Sequence, residues 1–168
     1  MKKLTFLIFF VAGVVVGVAL IKNKSQAPST QNPNSSNSSQ TIQSGKTIVD
    51  RSNQGLTEFP KDVLSKTGTT ELYIQNNKLT GAMPAEIRKL SSLQILDASN
   101  NMMTGVPAEV GQLTKLKMLN LANNQLTGLP NELGKLTQLE TLDLRGNNVS
   151  MQDLNVIKQT LTKTTILL

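Results

Sequence analysis

One frame, of the form L-x-L-x-x-N-x-L, recurs across the second half of this chain and constrains its fold more than any other feature. Its clearest copy is Leu119, Leu121, Asn124 and Leu126. Three further copies and a degenerate first copy lie at Leu72, Ile74, Asn77, Leu79; Leu96, Ala98, Asn101, Met103; Leu142, Leu144, Asn147, Val149; and Val49, Arg51, Gln54, Leu56. The copies begin at positions 49, 72, 96, 119 and 142, a spacing of 23 or 24 residues. A fixed period of this length predicts a solenoid, in which each repeat packs on its neighbours.

The composition argues against most enzyme classes. The 168 residues include no Cys, no His and no Trp. Without His or Cys there is no Ser-His-Asp triad, no zinc site of His and Cys ligands, and no thiol redox chemistry. The carboxylates Asp97 and Asp143 fall two strand steps apart, roughly 10 Å, which is long for a cooperating acid–base pair. We therefore expect a protein that is not an enzyme and that needs no metal or cofactor.

The net charge of +6 does not indicate a nucleic-acid binder. Four of the basic residues, Lys2, Lys3, Lys22 and Lys24, flank an apolar segment near the N-terminus. The rest of the chain has 13 basic and 11 acidic residues, a net charge of only +2, without a basic stripe. Binding to nucleic acid requires such a stripe on the folded part, so we expect no nucleic-acid partner.

Residues 1–24 have the features of a membrane segment. Leu4 to Ile21 is an uncharged run of 18 residues, the lower limit for crossing about 30 Å of hydrocarbon. Because the run is long for a cleaved signal peptide, and two lysines precede the candidate cleavage site Ser25-Gln26-Ala27, we favour a single-pass signal anchor with an extracytoplasmic repeat domain. Secretion after signal cleavage is the alternative.

Within this segment, Gly13 and Gly17 form a G-x-x-x-G pair. Small residues at this spacing allow two membrane helices to approach closely, which predicts helix contact and a homodimer. The competing interpretation is a chance match, since Gly is common in membrane segments.

Residues 25–45 form a predicted linker between the membrane segment and the repeats at 46–168. The stretch from Ser25 to Gly45 has no charge, few apolar side chains, and many Ser, Asn and Gln. Such a composition cannot bury enough apolar surface to offset the entropy lost on ordering. We therefore expect a disordered tether.

Each frame predicts a short strand followed by a turn. In the strand of the clearest copy, Leu119 and Leu121 point into the core and Asn120 points outward, because side chains alternate along a strand. An asparagine follows each full strand where the chain turns inward, and its amide can bond the backbone groups of that turn. The predicted structural column consists of Asn77, Asn101, Asn124 and Asn147.

The segments between the strands predict short helices. Pro84, Pro107 and Pro130 stand at equivalent positions, and the fixed φ of proline suits the first position of a helix. At the ends, Arg51 occupies a core position of the degenerate first copy. A longer helix from the Ser150 cap to about Lys163, and then a sixth strand at 164–168, are expected to close the other end.

These motifs resemble the leucine-rich repeat family in its 23-residue form, Leu-Pro-x-x-[Ile/Val/Leu]-x-x-Leu. The segment Leu79-Thr-Gly-Ala-Met-Pro84 is also similar to an element of the plant-type repeats. The resemblance implies an α/β repeat fold: a right-handed arc of about five repeats and a terminal strand, with parallel strands on the concave face and short helices on the convex face. It also implies recognition of proteins or glycans. Extracellular animal and plant members carry cysteine-rich caps, so the lack of Cys points to a bacterial source or to caps built by packing alone.

Outward strand positions form three columns on the concave face. They are Ile48, Glu71, Ile95, Met118, Thr141; Asp50, Tyr73, Asp97, Asn120, Asp143; and Ser52, Gln75, Ser99, Ala122, Arg145. Tyr and Arg are favoured at the centres of interfaces, so Tyr73 and Arg145 are the expected contact residues. The rest of the candidate binding surface is Ile95, Asp97, Met118, Asn120 and Asp143. A solvated face without a ligand is the competing interpretation.

Two functional hypotheses follow. The first is a membrane-tethered, exported module that recognises a protein or a cell-surface polymer through its concave face. The second is a structural or assembly protein that self-associates through its membrane helix. The first depends on Tyr73 and Arg145, and the second depends on Gly13 and Gly17.

Overall fold

The computed structural model describes residues 39–43 and 45–168. The predicted membrane segment at 1–24 and most of the predicted linker lie outside these residues, as does the Gly13/Gly17 pair. No helix in the described part of the chain has the length and apolar character needed to span a membrane. The linker prediction requires one correction, because Ser39–Gln43 is a strand that pairs with the first strand of the repeats.

The repeats build a seven-stranded sheet. Its strands are β1 (Ser39–Gln43), β2 (Lys46–Asp50), β3 (Glu71–Tyr73), β5 (Ile95–Asp97), β7 (Met118–Asn120), β8 (Thr141–Asp143) and β9 (Thr165–Leu167), paired in that order. β1 is antiparallel to β2, and the other pairs are parallel. The right-handed leucine-rich repeat arc predicted from the sequence is therefore confirmed, with an additional antiparallel strand at its N-terminal end.

A second, two-stranded sheet was not predicted. It pairs β4 (Thr80–Ala82) with β6 (Met102–Gly105) in parallel. Both strands follow the turn of their repeat, in the Leu-Thr-Gly and Met-Thr-Gly segments. The pairing shifts register between Gly81 and Ala82, in the repeat that carries one extra residue. The strands are short and mostly exposed, and the sequence alternation that predicts a strand is absent there.

The short helices predicted on the convex side are 3-10 helices rather than α-helices. They span Lys61–Ser65, Ala85–Lys89, Ala108–Gln112 and Asn131–Lys135. The prolines precede the first helical residue in extended conformation, one position earlier than predicted. A five-residue segment gains little from α-helical bonds, and the tighter 3-10 turn suits short connections. It also keeps Ile87, Val110 and Leu133 facing the core.

Columns of leucine fill the space between the sheet and the 3-10 helices. Leu72, Leu96, Leu119 and Leu142 are wholly buried at equivalent positions of neighbouring strands. Full burial of each side chain contributes about 1.5–3 kcal/mol. One repeat cannot bury its own leucines, so this stabilisation depends on stacking.

Both ends of the array depart from the repeat pattern. At the first end, Arg51 is buried and pairs with Asp62 on the first 3-10 helix. At the second end, α1 (Met151–Lys158) begins at a Ser150 cap whose side chain accepts a hydrogen bond from Asp153 N. The helix ends five residues before the predicted Lys163, and Leu161 then turns into the core ahead of β9.

Two glycines on the convex side permit close stacking of neighbouring repeats. A Cβ on Gly111 would overlap the backbone carbonyl of Glu132 in the next repeat, and a Cβ on Gly134 would overlap the hydroxyl of Thr160. The equivalent positions in the first two 3-10 helices carry Leu64 and Arg88. Between those two helices lies a hollow of about 420 Å³ lined by Leu64, so the convex stacking is closer where glycine occurs.

Candidate recognition surface

The outward residues of the parallel strands form one continuous face. Strand register places Ile48, Glu71, Ile95, Met118 and Thr141 in one row across the sheet. The second row, two residues further along each strand, is Asp50, Tyr73, Asp97, Asn120 and Asp143. We call these rows, with the residues two further along, the concave face. Every residue expected on the candidate surface lies on it.

Side chains of the second row are held by the backbone that follows them. Four of them accept a hydrogen bond from the backbone amide two residues later: Asp50 from Ser52 at 2.8 Å, Asp97 from Ser99 at 3.0 Å, Asn120 from Ala122 at 3.1 Å, and Asp143 from Arg145 at 3.1 Å. This is the Asx-turn, in which Asp or Asn mimics a backbone turn. Strand alternation predicts only that these residues face outward, although their residue types and spacing also point to the turn.

Asp97 and Asn120 are also joined across neighbouring strands. The Asn120 amide donates to Asp97 Oδ2 at 3.1 Å, while Asp97 Oδ1 accepts from the Ser99 hydroxyl at 2.7 Å. Side chains with several such bonds lose little freedom when a ligand binds, which lowers the entropic cost of binding.

Tyr73 interrupts the row of Asp and Asn residues. Its hydroxyl donates to Glu71 Oε2 at 2.9 Å, and Lys46 Nζ bonds the other carboxylate oxygen at 2.8 Å. Burial of the ring raises the pKa of Tyr73 to about 12, reinforced by the hydrogen bond to Glu71 and by the charges of Glu71, Asp97 and Asp50. The ring is half-buried, so one part of it remains available to a ligand.

The Glu71 carboxylate is buried at the start of β3. Burial alone would raise its pKa, but the hydrogen bonds from Lys46 and Tyr73 outweigh burial and hold the pKa below its ordinary value. Glu71 is therefore ionised at neutral pH and fixes the tyrosine hydroxyl in place.

The guanidinium of Arg145 is already paired, which changes its expected role. Its Nε and one terminal nitrogen bond Asp143, with the terminal nitrogen 2.6 Å from Oδ2. This pairing lowers the pKa of Asp143 and raises the pKa of Arg145. The donor edge expected to contact a ligand is thus occupied, although the side chain remains 60% exposed.

Ile95 and Met118 form the floor of an open hollow of about 460 Å³. Charged residues at its rim pair with each other: Lys46 with Glu71, and Lys117 with Glu140 at 3.8 Å. The hollow combines an apolar floor with a polar rim, the usual form of a surface that receives a side chain of a partner.

The column of Asn77, Asn101, Asn124 and Asn147 lies at the turns after the strands. Asn124 is representative: its amide nitrogen donates to the carbonyls of Ala98, Leu121 and Ala122, and its Oδ1 accepts from Met103 N at 3.0 Å. It thus joins its own turn to the preceding repeat. The side chains of this column are thus used to bond backbone groups of the stack.

A second asparagine column, which the repeat frame does not predict, lies beside the first. Asn76, Asn100 and Asn123 have positive φ, which Asn tolerates better than most residues. Asn100 donates to Asn76 at 3.0 Å, and Asn123 donates to Asn100 at 2.8 Å. Gly146 follows in the same position, where a Cβ would overlap the Asn123 side chain. The paired asparagines in the sequence were the indication of this column.

The described residues hold no group of three or more acidic, His or Cys side chains that could bind a metal ion. One buried oxygen, Gln75 Oε1, has no hydrogen-bond partner among the described residues.

Comparison with known proteins agrees with this geometry. A family model described as a leucine-rich repeat region matches residues 72–167. A search of curated proteins gave no match.

Among solved structures, the chain is similar to a leucine-rich repeat protein from Leptospira interrogans, with 39% identity, a TM-score of 0.62, and coverage of 67% of this chain and 28% of that one. An internalin from Listeria monocytogenes is 35% identical with a TM-score of 0.57, over 65% of this chain and 31% of that one. The ectodomain of the Arabidopsis thaliana receptor kinase GASSHO1/SCHENGEN3, solved with CASPARIAN STRIP INTEGRITY FACTOR 2, is 28% identical with a TM-score of 0.55, over 66% and 14%. The chain thus spans under a third of each of these proteins.

Proposed function

This chain belongs to the leucine-rich repeat family, and on that basis we propose that it is a membrane-tethered, exported recognition module. The fold is that of a protein-recognition module. The specific proposal is that the concave face binds a protein or a cell-surface polymer while the N-terminal segment holds the chain at the membrane.

The observation that carries the proposal is the fixed arrangement of the concave face. Asp97, Asn120 and Asp143 are locked by Asx-turns, and the Tyr73 hydroxyl is fixed by Glu71. A rigid face with an aromatic ring and an apolar hollow binds with little loss of side-chain entropy. The Arabidopsis ectodomain, solved in complex with CASPARIAN STRIP INTEGRITY FACTOR 2, supports a protein or peptide ligand.

Tethering and export rest on the sequence of residues 1–24. The uncharged run Leu4–Ile21 supports a signal anchor, with secretion after cleavage near Ala27 as the alternative. The lack of Cys and the two bacterial relatives support a bacterial source.

Photocrosslinking tests the recognition face. A photoreactive amino acid replaces Met118 on the concave face of the full-length chain, and replaces the exposed Gln112 on the convex side as a control. We expect discrete partner adducts from Met118 in intact cells and none from Gln112. Adducts from Gln112 alone would place binding on the convex side and refute the proposal.

Membrane sedimentation and cysteine labelling test the topology. The full-length chain with Thr127→Cys should sediment with membranes and react with an impermeant maleimide added outside intact cells. A soluble mature protein that starts at Pro28 would instead support secretion.

The assembly alternative predicts a different sensitivity. If self-association through the membrane helix is the function, Gly13→Leu with Gly17→Leu should abolish crosslinked dimers. Substitutions on the concave face should then leave the yield of crosslinked dimers unchanged.

A further inference from the structure

Building on the proposed function, we propose that the ligand of the concave face is an extended peptide segment with an apolar side chain and a basic side chain two positions later. The basic group lies over Tyr73 between Asp50 and Asp97. The apolar group lies in the hollow above Ile95 and Met118.

Among the described residues, the charges of the concave face leave two carboxylates without a cation. Among the described residues, Lys46 pairs with Glu71, Lys117 with Glu140, and Arg145 with Asp143. No ion pair in this part of the chain includes Asp50 or Asp97. Asp50 Oδ1 accepts from Ser52 N, and only that oxygen has a protein donor among the described residues. The uncompensated negative charge favours a cationic ligand.

The two carboxylates lie on either side of the tyrosine ring. Strand register pairs Asp50 with Tyr73 and Tyr73 with Asp97, so the carboxylates stand one strand away on each side. A cation over the face of an aromatic ring is attracted by the ring itself. The Lys or Arg side chain of a partner would therefore meet the ring and one or both carboxylates at once.

The apolar hollow lies close to the Tyr73 position. Ile95 precedes Asp97 by two residues on β5, one strand away from Tyr73, so the Ile95 and Tyr73 positions are separated by roughly 8 Å. Side chains two residues apart in an extended peptide share one face and lie roughly 7 Å apart, so one long basic side chain reaches the ring from that spacing. A peptide with an apolar residue and a basic residue two positions later fits both features.

The same charges disfavour an anionic surface polymer, because Asp50 and Asp97 would repel it. A protein ligand is therefore favoured over a cell-surface polymer. The net charge of the whole chain is +6, so it does not attract a cationic peptide. Binding of such a peptide would therefore report the local charge of the concave face.

Fluorescence anisotropy on the full-length chain in detergent tests the proposal. The probe is a fluorescein-labelled peptide, Leu-Ser-Lys-Ser-Leu-Ser-Lys, with two matched peptides that carry Glu for Lys or Ser for Leu. We expect the first peptide to bind at low salt, and each matched peptide to bind at least about tenfold more weakly.

Variants assign the binding to the proposed residues. Asp50→Asn with Asp97→Asn should weaken binding about tenfold, and Tyr73→Leu about threefold. Glu86→Gln with Glu109→Gln removes two carboxylates from the 3-10 helices and should leave affinity within about twofold. Thermal unfolding of each variant checks that the fold is retained. If Asp97→Asn unfolds the chain, Asp50→Asn alone should still weaken binding about threefold.

Equal binding of the Lys and Glu peptides, or equal loss in the convex control, would overturn the proposal. The crosslinking experiment separates this failure from failure of the proposed function. Partner adducts at Met118 that do not depend on Asp50 or Asp97 would overturn only the peptide chemistry. Absence of concave adducts would refute the recognition face itself.

Discussion

The Tyr73 hydroxyl donates a 2.9 Å hydrogen bond to Glu71, two residues earlier on the same strand. Both side chains point to the same face of the sheet because strand side chains alternate. The bond couples the one tyrosine of the chain to a carboxylate that Lys46 also binds.

This relationship predicts an unusual tyrosine titration. Ultraviolet absorbance should show ionisation of Tyr73 near a pKa of about 12, and Tyr73 is the one tyrosine in the sequence. Glu71→Gln should move the midpoint toward 10 but not fully, because burial of the ring remains. Asp143→Asn should not move it. A wild-type midpoint at 10 would contradict the geometry.

The same shift has a consequence for stability. The unfolded tyrosine ionises near 10, whereas the folded one holds its proton to about 12. The unfolded state therefore binds fewer protons between these values, and stability should fall as pH rises from 10 to 12. Urea unfolding across this range should show a smaller loss in Tyr73→Phe than in the wild type.

The asparagine column should contribute more to stability than the asparagines of the concave face. Asn124→Ala leaves Met103 N without its partner in a buried turn and removes one of the two asparagine donors from the Ala98 and Leu121 carbonyls, so unfolding free energy should fall by about 1–3 kcal/mol. Asn120→Ala removes half-exposed bonds that water can replace, and should cost about 0.5–1 kcal/mol. Equal losses in urea titrations would mean that the two positions have the same environment.

The close approach at Gly111 predicts an intolerant site. Gly111→Ala should destabilise the domain by about 1–3 kcal/mol, because the added methyl group overlaps the backbone of Glu132 and backbone cannot rotate away. Gly68 supplies the control, since a Cβ there meets nothing within 4 Å. Gly68→Ala should be neutral or slightly stabilising. Thermal unfolding that ranks the two variants in the opposite order would contradict this packing.

The buried Arg51 should depend on Asp62. Asp62→Ala leaves the Arg51 charge buried without its partner and should destabilise the domain by about 1–3 kcal/mol. Arg51→Leu restores the apolar residue of the other repeats and should cost less than Asp62→Ala, or stabilise. Denaturant unfolding of both variants and of the double variant measures the coupling; a larger loss in Arg51→Leu would show that the ion pair itself stabilises this end.

Strand register and core were predictable because the leucine frame determines both. Once Leu119 and Leu121 face inward, Asn120 must face outward, and the equivalent residues of the other repeats follow the same alternation. The 3-10 helices were less predictable, since a five-residue segment does not have enough periodicity to distinguish helix types. The end of α1 at Lys158 was also missed, because Thr and Lys residues continue past it without a stop signal.

The composition of the concave face was predictable, but its internal bonds were not. Sequence spacing placed Tyr73 and Arg145 on the concave face as the expected contact residues. Only the side-chain conformations show that Arg145 forms an ion pair with Asp143. They also show that Asp50 and Asp97 are not paired with a cation in the described part of the chain. That difference moves the expected ligand contact from Arg145 toward Tyr73.

The asparagine columns also have an evolutionary consequence. Asn101 and Asn124 each bond a backbone carbonyl of the preceding repeat in the same way, Asn101 to Ile74 and Asn124 to Ala98. A gene duplication or deletion of one whole unit would therefore reconnect the column without a mismatch, whereas a change of a few residues would break it. The array can lengthen or shorten in whole units, and each new unit would add one row to the concave face.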